Sequence, residues 1–87
     1  MNTYYLIKAY ESQYINGETV ERFQYYGKDD KLIGSIIGPN VNRYTKNDIR
    51  NHGYKSYKKA LEAGWKLKDK IRSEGWTIII TLIAEVA

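Results

Sequence analysis

Gln13-Tyr14-Ile15-Asn16-Gly17-Glu18-Thr19-Val20 is the stretch that sets the fold. Asn-Gly between two extended runs is the strongest short hairpin signal, because both central residues of the tight turn need positive φ. Upstream, Tyr4-Tyr5-Leu6-Ile7-Lys8-Ala9-Tyr10 is rich in aromatic and branched side chains and reads as a strand. Downstream, Thr19 to Tyr26 forms its partner. In that second strand Thr19, Glu21, Phe23 and Tyr25 share one face, and Val20, Arg22, Gln24 and Tyr26 share the other. Neither face is purely apolar, so one is expected to be solvated.

Gly27-Lys28-Asp29-Asp30-Lys31 is a polar turn, and Leu32-Ile33-Gly34-Ser35-Ile36-Ile37 is a third strand stopped by Gly38-Pro39-Asn40. Three strands joined by short turns make an antiparallel meander. Thr45-Lys46-Asn47-Asp48 has the form of a capping box and predicts a short helix over Lys46–His52, closed at Gly53. Ser56 is placed to cap a longer helix, Tyr57 to Ser73, with Gly75 closing it. At 100° per residue Tyr57, Ala60, Leu61, Gly64, Leu67 and Ile71 gather on one side of this helix, flanked by Trp65. Gly64 costs roughly 1 kcal/mol in a helix interior relative to Ala, so a close approach of the helix backbone to the sheet is expected there. Glu62 and Lys66 are spaced as an i,i+4 ion pair.

Trp76 to Val86 reads as the last strand. Ile78, Ile80, Leu82, Ala84 and Val86 line one face, while Ile79 and Ile83 make the other apolar too. A strand apolar on both sides needs cover on both sides. The short helix and the 38–44 loop could supply the second cover, or a second copy of the chain could, as a homodimer. The predicted fold is α+β: an antiparallel sheet of about four strands in β-β-β-α-β order. One main helix packs on it, a short helix precedes that one, and the last strand is inserted centrally.

Eighty-seven residues make one domain with a small core. Nine tyrosines stand against one phenylalanine and two tryptophans. Tyrosine covers apolar area yet keeps a hydroxyl for water or a partner, which suits half-exposed sheet faces. The absence of cysteine excludes disulfides and thiolate metal sites and fits a cytoplasmic protein. The N-terminus has no charged region followed by an apolar run, and the longest apolar stretch is too short to span a bilayer, so no membrane association is expected.

Charge is distributed unevenly. Residues 43–75 carry ten basic and four acidic side chains, a net of +6, while the whole chain carries +4. Such a cluster attracts anionic partners. Arg43, Lys46, Arg50, Lys55, Lys58, Lys59, Lys66 and Lys70 are interleaved with Tyr44, Tyr54, Tyr57 and Trp65. Cations for phosphate and aromatics for stacking are the chemistry of nucleic-acid binding. The same lysines also suit an acidic protein surface, or form the solvated face of a helix. Catalytic signals are lacking. The single histidine, His52, stands beside a helix C-cap, where a capping or surface role is expected. Asp29-Asp30 reads as a solvated turn, the serines lack a nucleophile-elbow context, and no spacing matches a calcium or zinc site. A non-enzymatic binding protein without cofactors is the expectation.

Two resemblances follow. Phe23-Gln24-Tyr25-Tyr26-Gly27-Lys28 resembles the aromatic strand that ends in Trp-Gly-Arg in WGR modules. Gly53 to Ala60 is similar to that family's helix entry, and Gly75-Trp76 to its exit. Tyr26 and Lys28 depart from the signature triplet, so DNA-end recognition is not carried over. In type, a small basic α+β chain rich in Lys, Asn, Ile and Tyr resembles phage-encoded inhibitors of host defence, the anti-CRISPR proteins included. That resemblance implies a grip on an acidic surface of a host protein or ribonucleoprotein. The alternative, read from the residues themselves, is a nucleic-acid-binding module that contacts phosphates with the 43–72 basic region.

Overall fold

The computed structural model describes residues 2–87. Five strands and two helices follow one another as β1 (Thr3–Ile15), β2 (Glu18–Tyr26), β3 (Leu32–Ile37), β4 (Asn40–Asn42), α1 (Lys46–His52), α2 (Tyr57–Lys70) and β5 (Thr77–Val86). All strand pairs are antiparallel, in the order β4-β3-β2-β1-β5. The α+β class and the meander agree with the sequence reading.

The hairpin forms at Asn16-Gly17, with Ile15 facing Glu18 and φ of 50° and 83° at the two turn residues. Left-handed backbone is what the tight turn requires, and Asn and Gly tolerate it best. The polar turn after β2 uses the same tolerance: Asp29 and Asp30 both have positive φ.

Two features of the predicted sheet are corrected. There is a fifth strand, because Gly38-Pro39 turns the chain instead of stopping it. Gly38 has φ 57° and Ile37 pairs with Asn40, the arrangement of a two-residue hairpin loop with glycine first. The last strand lies at the edge, not in the centre. β2 claims one side of β1 through the hairpin, and β3 and β4 build outward from β2. The free side of β1 is the place left for β5, which pairs there from Thr3↔Val86 to Ser12↔Thr77.

Successive residues of β1 point to opposite sides, and each side has its own core. On one side Ile7 and Ala9 pack with Tyr26, Leu67, Ile80 and Leu82 beneath α2. On the other, Tyr4 and Leu6 pack with Ile33, Ile49 of α1, Tyr44 and Ile83. The short helix therefore supplies part of the second cover for β5, as one of the two expectations had it. Cover stops at Ile83: Ile79, on the same face, remains 50% exposed.

The main helix ends at Lys70 rather than Ser73, with the Ile71 N–H donating to the Leu67 carbonyl at 2.9 Å. Ile71 must stay against the sheet, and the chain then needs 72–76 to reverse into β5. Gly75, at φ 83°, serves that return and does not cap the helix. Gly64 does mark a close approach. A Cβ there would lie 3.3 Å from Ile80 Cγ2 and 3.9 Å from Ile7 Cγ2, which places the helix over the seam between β5 and β1. The capping box of α1 forms in full: Asp48 N–H donates to Thr45 Oγ1 (3.1 Å) and Thr45 N–H to Asp48 Oδ2 (2.8 Å). The Thr45 backbone N–H and then the Thr45 hydroxyl, both donating to Asp48 Oδ2, hold the Asp48 carboxyl below its ordinary range. Gly53 closes α1 with φ −70°, so its need for glycine is steric. A Cβ would fall 2.5 Å from the Ile49 carbonyl oxygen and 2.8 Å from Tyr4 Cβ.

Candidate binding surface

The path from α1 to α2 decides how the basic region is displayed. After Gly53 the chain passes the end of β2, where Tyr54 exchanges two backbone hydrogen bonds with Tyr5 of β1 (2.7 and 2.9 Å). This single bridge lies in the plane of the sheet. The chain thus crosses that plane between α1 and α2, and the helices pack on opposite sides of β1.

The basic residues are divided accordingly. Arg43, Tyr44, Lys46 and Arg50 belong to the α1 side. Arg43 lines a shallow hollow with Tyr25, Ile36, Asn42 and Tyr44, and the Arg50 guanidinium donates to Asn47 Oδ1 at 2.6 Å. Lys58, Lys59, Lys66, Lys70 and Trp65 stand on α2, with Lys55 exposed in the crossing segment. Tyr54 packs into the core under α2 and is not a free stacking surface. The cation-rich third of the chain is therefore two surfaces, with four of its expected members on one and five on the other.

α2 presents the more continuous of the two. Ser56 Oγ accepts from the Lys59 N–H (3.3 Å) and starts the helix, whose buried side is Ala60, Gly64 and Leu67. Lys58, Lys59 and Lys66 are exposed on the outside, and neither of the two ion pairs among the described residues uses them. Lys70 differs, bonding Asp30 Oδ2 at 2.6 Å. Glu62 and Lys66 do not meet as an ion pair. Trp65 is 67% exposed and lines a gutter with Tyr57, Leu61, Ile80 and Leu82.

Of a second group, only Tyr44 is singled out by the sequence reading. On the sheet face away from α2, Tyr10 and Phe23 lie with ring centroids 5.1 Å apart, and the Lys8 ammonium sits 4.9 Å over Phe23. Tyr25 and Tyr44 meet edge to face at 5.2 Å. Beyond α1 no helix among the described residues covers these side chains. The alternation of β1 carried the signal, since Leu6, Lys8 and Tyr10 share the parity that pairs with Tyr25 and Phe23. Among the described residues no three His, Asp or Glu converge to hold a metal ion, and no helix is long and apolar enough to cross a membrane.

Four tyrosines, two on each side of the sheet, give the stability of the fold a pH response. Burial, then its 2.5 Å bond to Glu85 Oε1, pushes the Tyr44 phenol well above its ordinary value. Burial raises Tyr26 and Tyr54, and the bond to Glu21 raises Tyr10. A folded-state pKa above the unfolded value near 10 contributes stability that is complete below that pH and is lost as pH rises through the folded value. Unfolding free energy is thus expected to fall above pH ~10, and less steeply in Tyr44→Phe. Denaturant titrations across that range test it, and an unchanged stability through pH ~11 would refute it.

Comparison with family models, with curated proteins and with solved structures returns no match.

Proposed function

We propose that the chain is a non-enzymatic binding protein, a small phage-type inhibitor that docks on an acidic surface of a host protein or ribonucleoprotein. One observation carries this reading. The outer face of α2 displays Lys58, Lys59 and Lys66, all exposed and all outside the two ion pairs among the described residues. Exposed cations steer association with an acidic partner.

The test is capture from a bacterial lysate, with and without nuclease, using wild type and a Lys58→Glu/Lys59→Glu/Lys66→Glu variant. Lys70 is left out because it already serves Asp30. A protein partner that survives nuclease and is lost with the variant is the expected result. The fold should be kept, since surface changes move stability by no more than ~0.5 kcal/mol each. A variant that captures the same partner as strongly as wild type would remove α2 from the interface.

A second reading, a nucleic-acid module, is favoured by the sheet face. Tyr10, Phe23 and Tyr25 with Lys8 and Arg43 combine ring faces and cations on an uncovered sheet, as single-strand binding requires. In that case capture is abolished by nuclease and affinity falls linearly in log–log salt plots. Phe23→Ala then weakens single-strand binding by ~1–3 kcal/mol per stacked base and spares duplex.

A further inference from the structure

We infer that two copies of this chain join edge to edge through β5, in a symmetric antiparallel pair that continues the sheet across the dimer. The backbone alternation specifies the edge. Tyr5 spends its N–H and carbonyl on Tyr54, on the β2 side of β1. The even-numbered residues of β1 therefore face β5, and Asn2 with Ala87 extends the pattern by exchanging both bonds (3.2 and 3.0 Å). In β5 the odd-numbered residues consequently bond β1. Ile78, Ile80, Leu82, Ala84 and Val86 turn their N–H and carbonyl groups outward, where no strand among the described residues pairs them.

This edge lacks the usual protection. Long edge strands are commonly interrupted by lysine, proline or a bulge. β5 pairs with β1 in unbroken register, and its one charged residue, Glu85, is bonded to Tyr44. The opposite edge, β4, is three residues long and carries two asparagines.

The position of α2 selects a second copy over a foreign strand. A strand added to β5 would leave Tyr57 and Trp65 bare, because they stand one layer above the sheet at 55% and 67% exposure. A partner that covers them must bring a helix at the same height, and a two-fold copy does so. α2 sits over the β1–β5 seam, about half a strand spacing inside β5, and the two-fold axis would lie half a spacing outside it. Strand spacing near 4.8 Å then places the two helices about 10 Å apart, the distance at which helices pack. An axis through Leu82 pairs Leu82 with itself, Ile80 with Ala84 and Ile78 with Val86. All five outward residues are used, with about ten backbone hydrogen bonds. Covering Tyr57, Leu61, Trp65 and the strand flank removes roughly 500 Å² per copy from water, near the ~1,000 Å² total that a specific interface needs.

The two α2 helices would lie on one side of the extended sheet, which brings their lysines together. Salt screens that repulsion, so dimerisation should strengthen with ionic strength, opposite to phosphate binding. The interface stands independently of which partner the lysines meet.

Light scattering on the full chain tests this. Wild type should give twice the 10.2 kDa of one chain. Ala84→Pro removes only an outward N–H, and Trp65→Glu changes an exposed side chain. Both should give folded monomers by circular dichroism, while Ile79→Glu, on the other face, should remain dimeric. Amide exchange at Ile80 and Leu82 should slow as protein concentration rises. If Ala84→Pro fails to fold, Trp65→Glu and the exchange data decide. A monomeric wild type at high concentration overturns the proposal, as does a dimer that survives Trp65→Glu or one that dissociates only on Ile79→Glu.

Discussion

Arg22→Ala is expected to destabilise the protein by about 3–5 kcal/mol, a large share of the 5–15 kcal/mol that holds a domain folded. Glu11 lies on β1 under α2 and is 1% exposed. Its cross-strand neighbour is Arg22, whose Nη2 donates to Glu11 Oε1 at 3.0 Å. The guanidinium is held in turn by the Trp76 ring, with Cζ 3.9 Å from the ring centroid. The pairing is single, since Glu11 Oε2 and Arg22 Nε have no hydrogen-bond partner among the described residues. Such a pair adds little net stability, because removing both charges from water costs about as much as their attraction returns. Removing one member is different, because it leaves a buried carboxylate without compensation. The double variant Glu11→Leu/Arg22→Met should accordingly recover most of the loss. Denaturant midpoints of wild type, single and double variants measure it. A single variant within ~1 kcal/mol of wild type, or a double variant no better than the single, would contradict this account.

Leu67→Ala should cost ~2–5 kcal/mol. Leu67 is 2% exposed and fills the space above Ile7 and Ala9, where α2 meets the β1–β5 side of the sheet. The loss combines the transfer of the deleted carbons with the cavity they leave, and a rigid seam between β1 and β5 cannot collapse to fill it. Trp65→Ala, two residues away, is a suitable contrast. It removes a larger side chain from the exposed flank and, with both variants made in the monomeric Ala84→Pro background, should shift the melting temperature far less. Comparable melting shifts for the two variants would mean that α2 is rotated from the orientation described.

Much of the architecture is legible in local sequence because local rules govern it. Asn16-Gly17 dictates a positive-φ turn whatever surrounds it. Thr45 and Asp48 satisfy each other within one helical turn, and the bounds of α1 follow. The stripe of Ala60, Gly64 and Leu67 identifies the buried side of α2. The missed strand β4 had a signal of the same local kind in Gly38-Pro39, which was read as a stop although glycine at the first turn position also permits a hairpin.

The binding surface was less legible, for a physical reason. Net charge along the chain says how many cations there are and nothing about which way they face. The run from Arg43 to Lys70 reads as one basic patch until Tyr54 bridges to Tyr5 and carries the chain through the plane of the sheet. That bridge joins residues 49 positions apart and leaves no periodic trace. Lys70 reads like Lys66 until Asp30, forty residues away, claims it.

The amino-acid sequence by itself determined the hairpin, the order of the first three strands, both helices and the apolar side of α2, since each depends on neighbours within a few residues. Tertiary structure alone decided that β5 takes the edge beside β1, that Glu11 and Arg22 form a buried pair, and that the basic residues fall on two sides of the sheet. Those outcomes depend on which strand edge remains free once the hairpin has formed, a property of the assembled sheet and not of any segment within it.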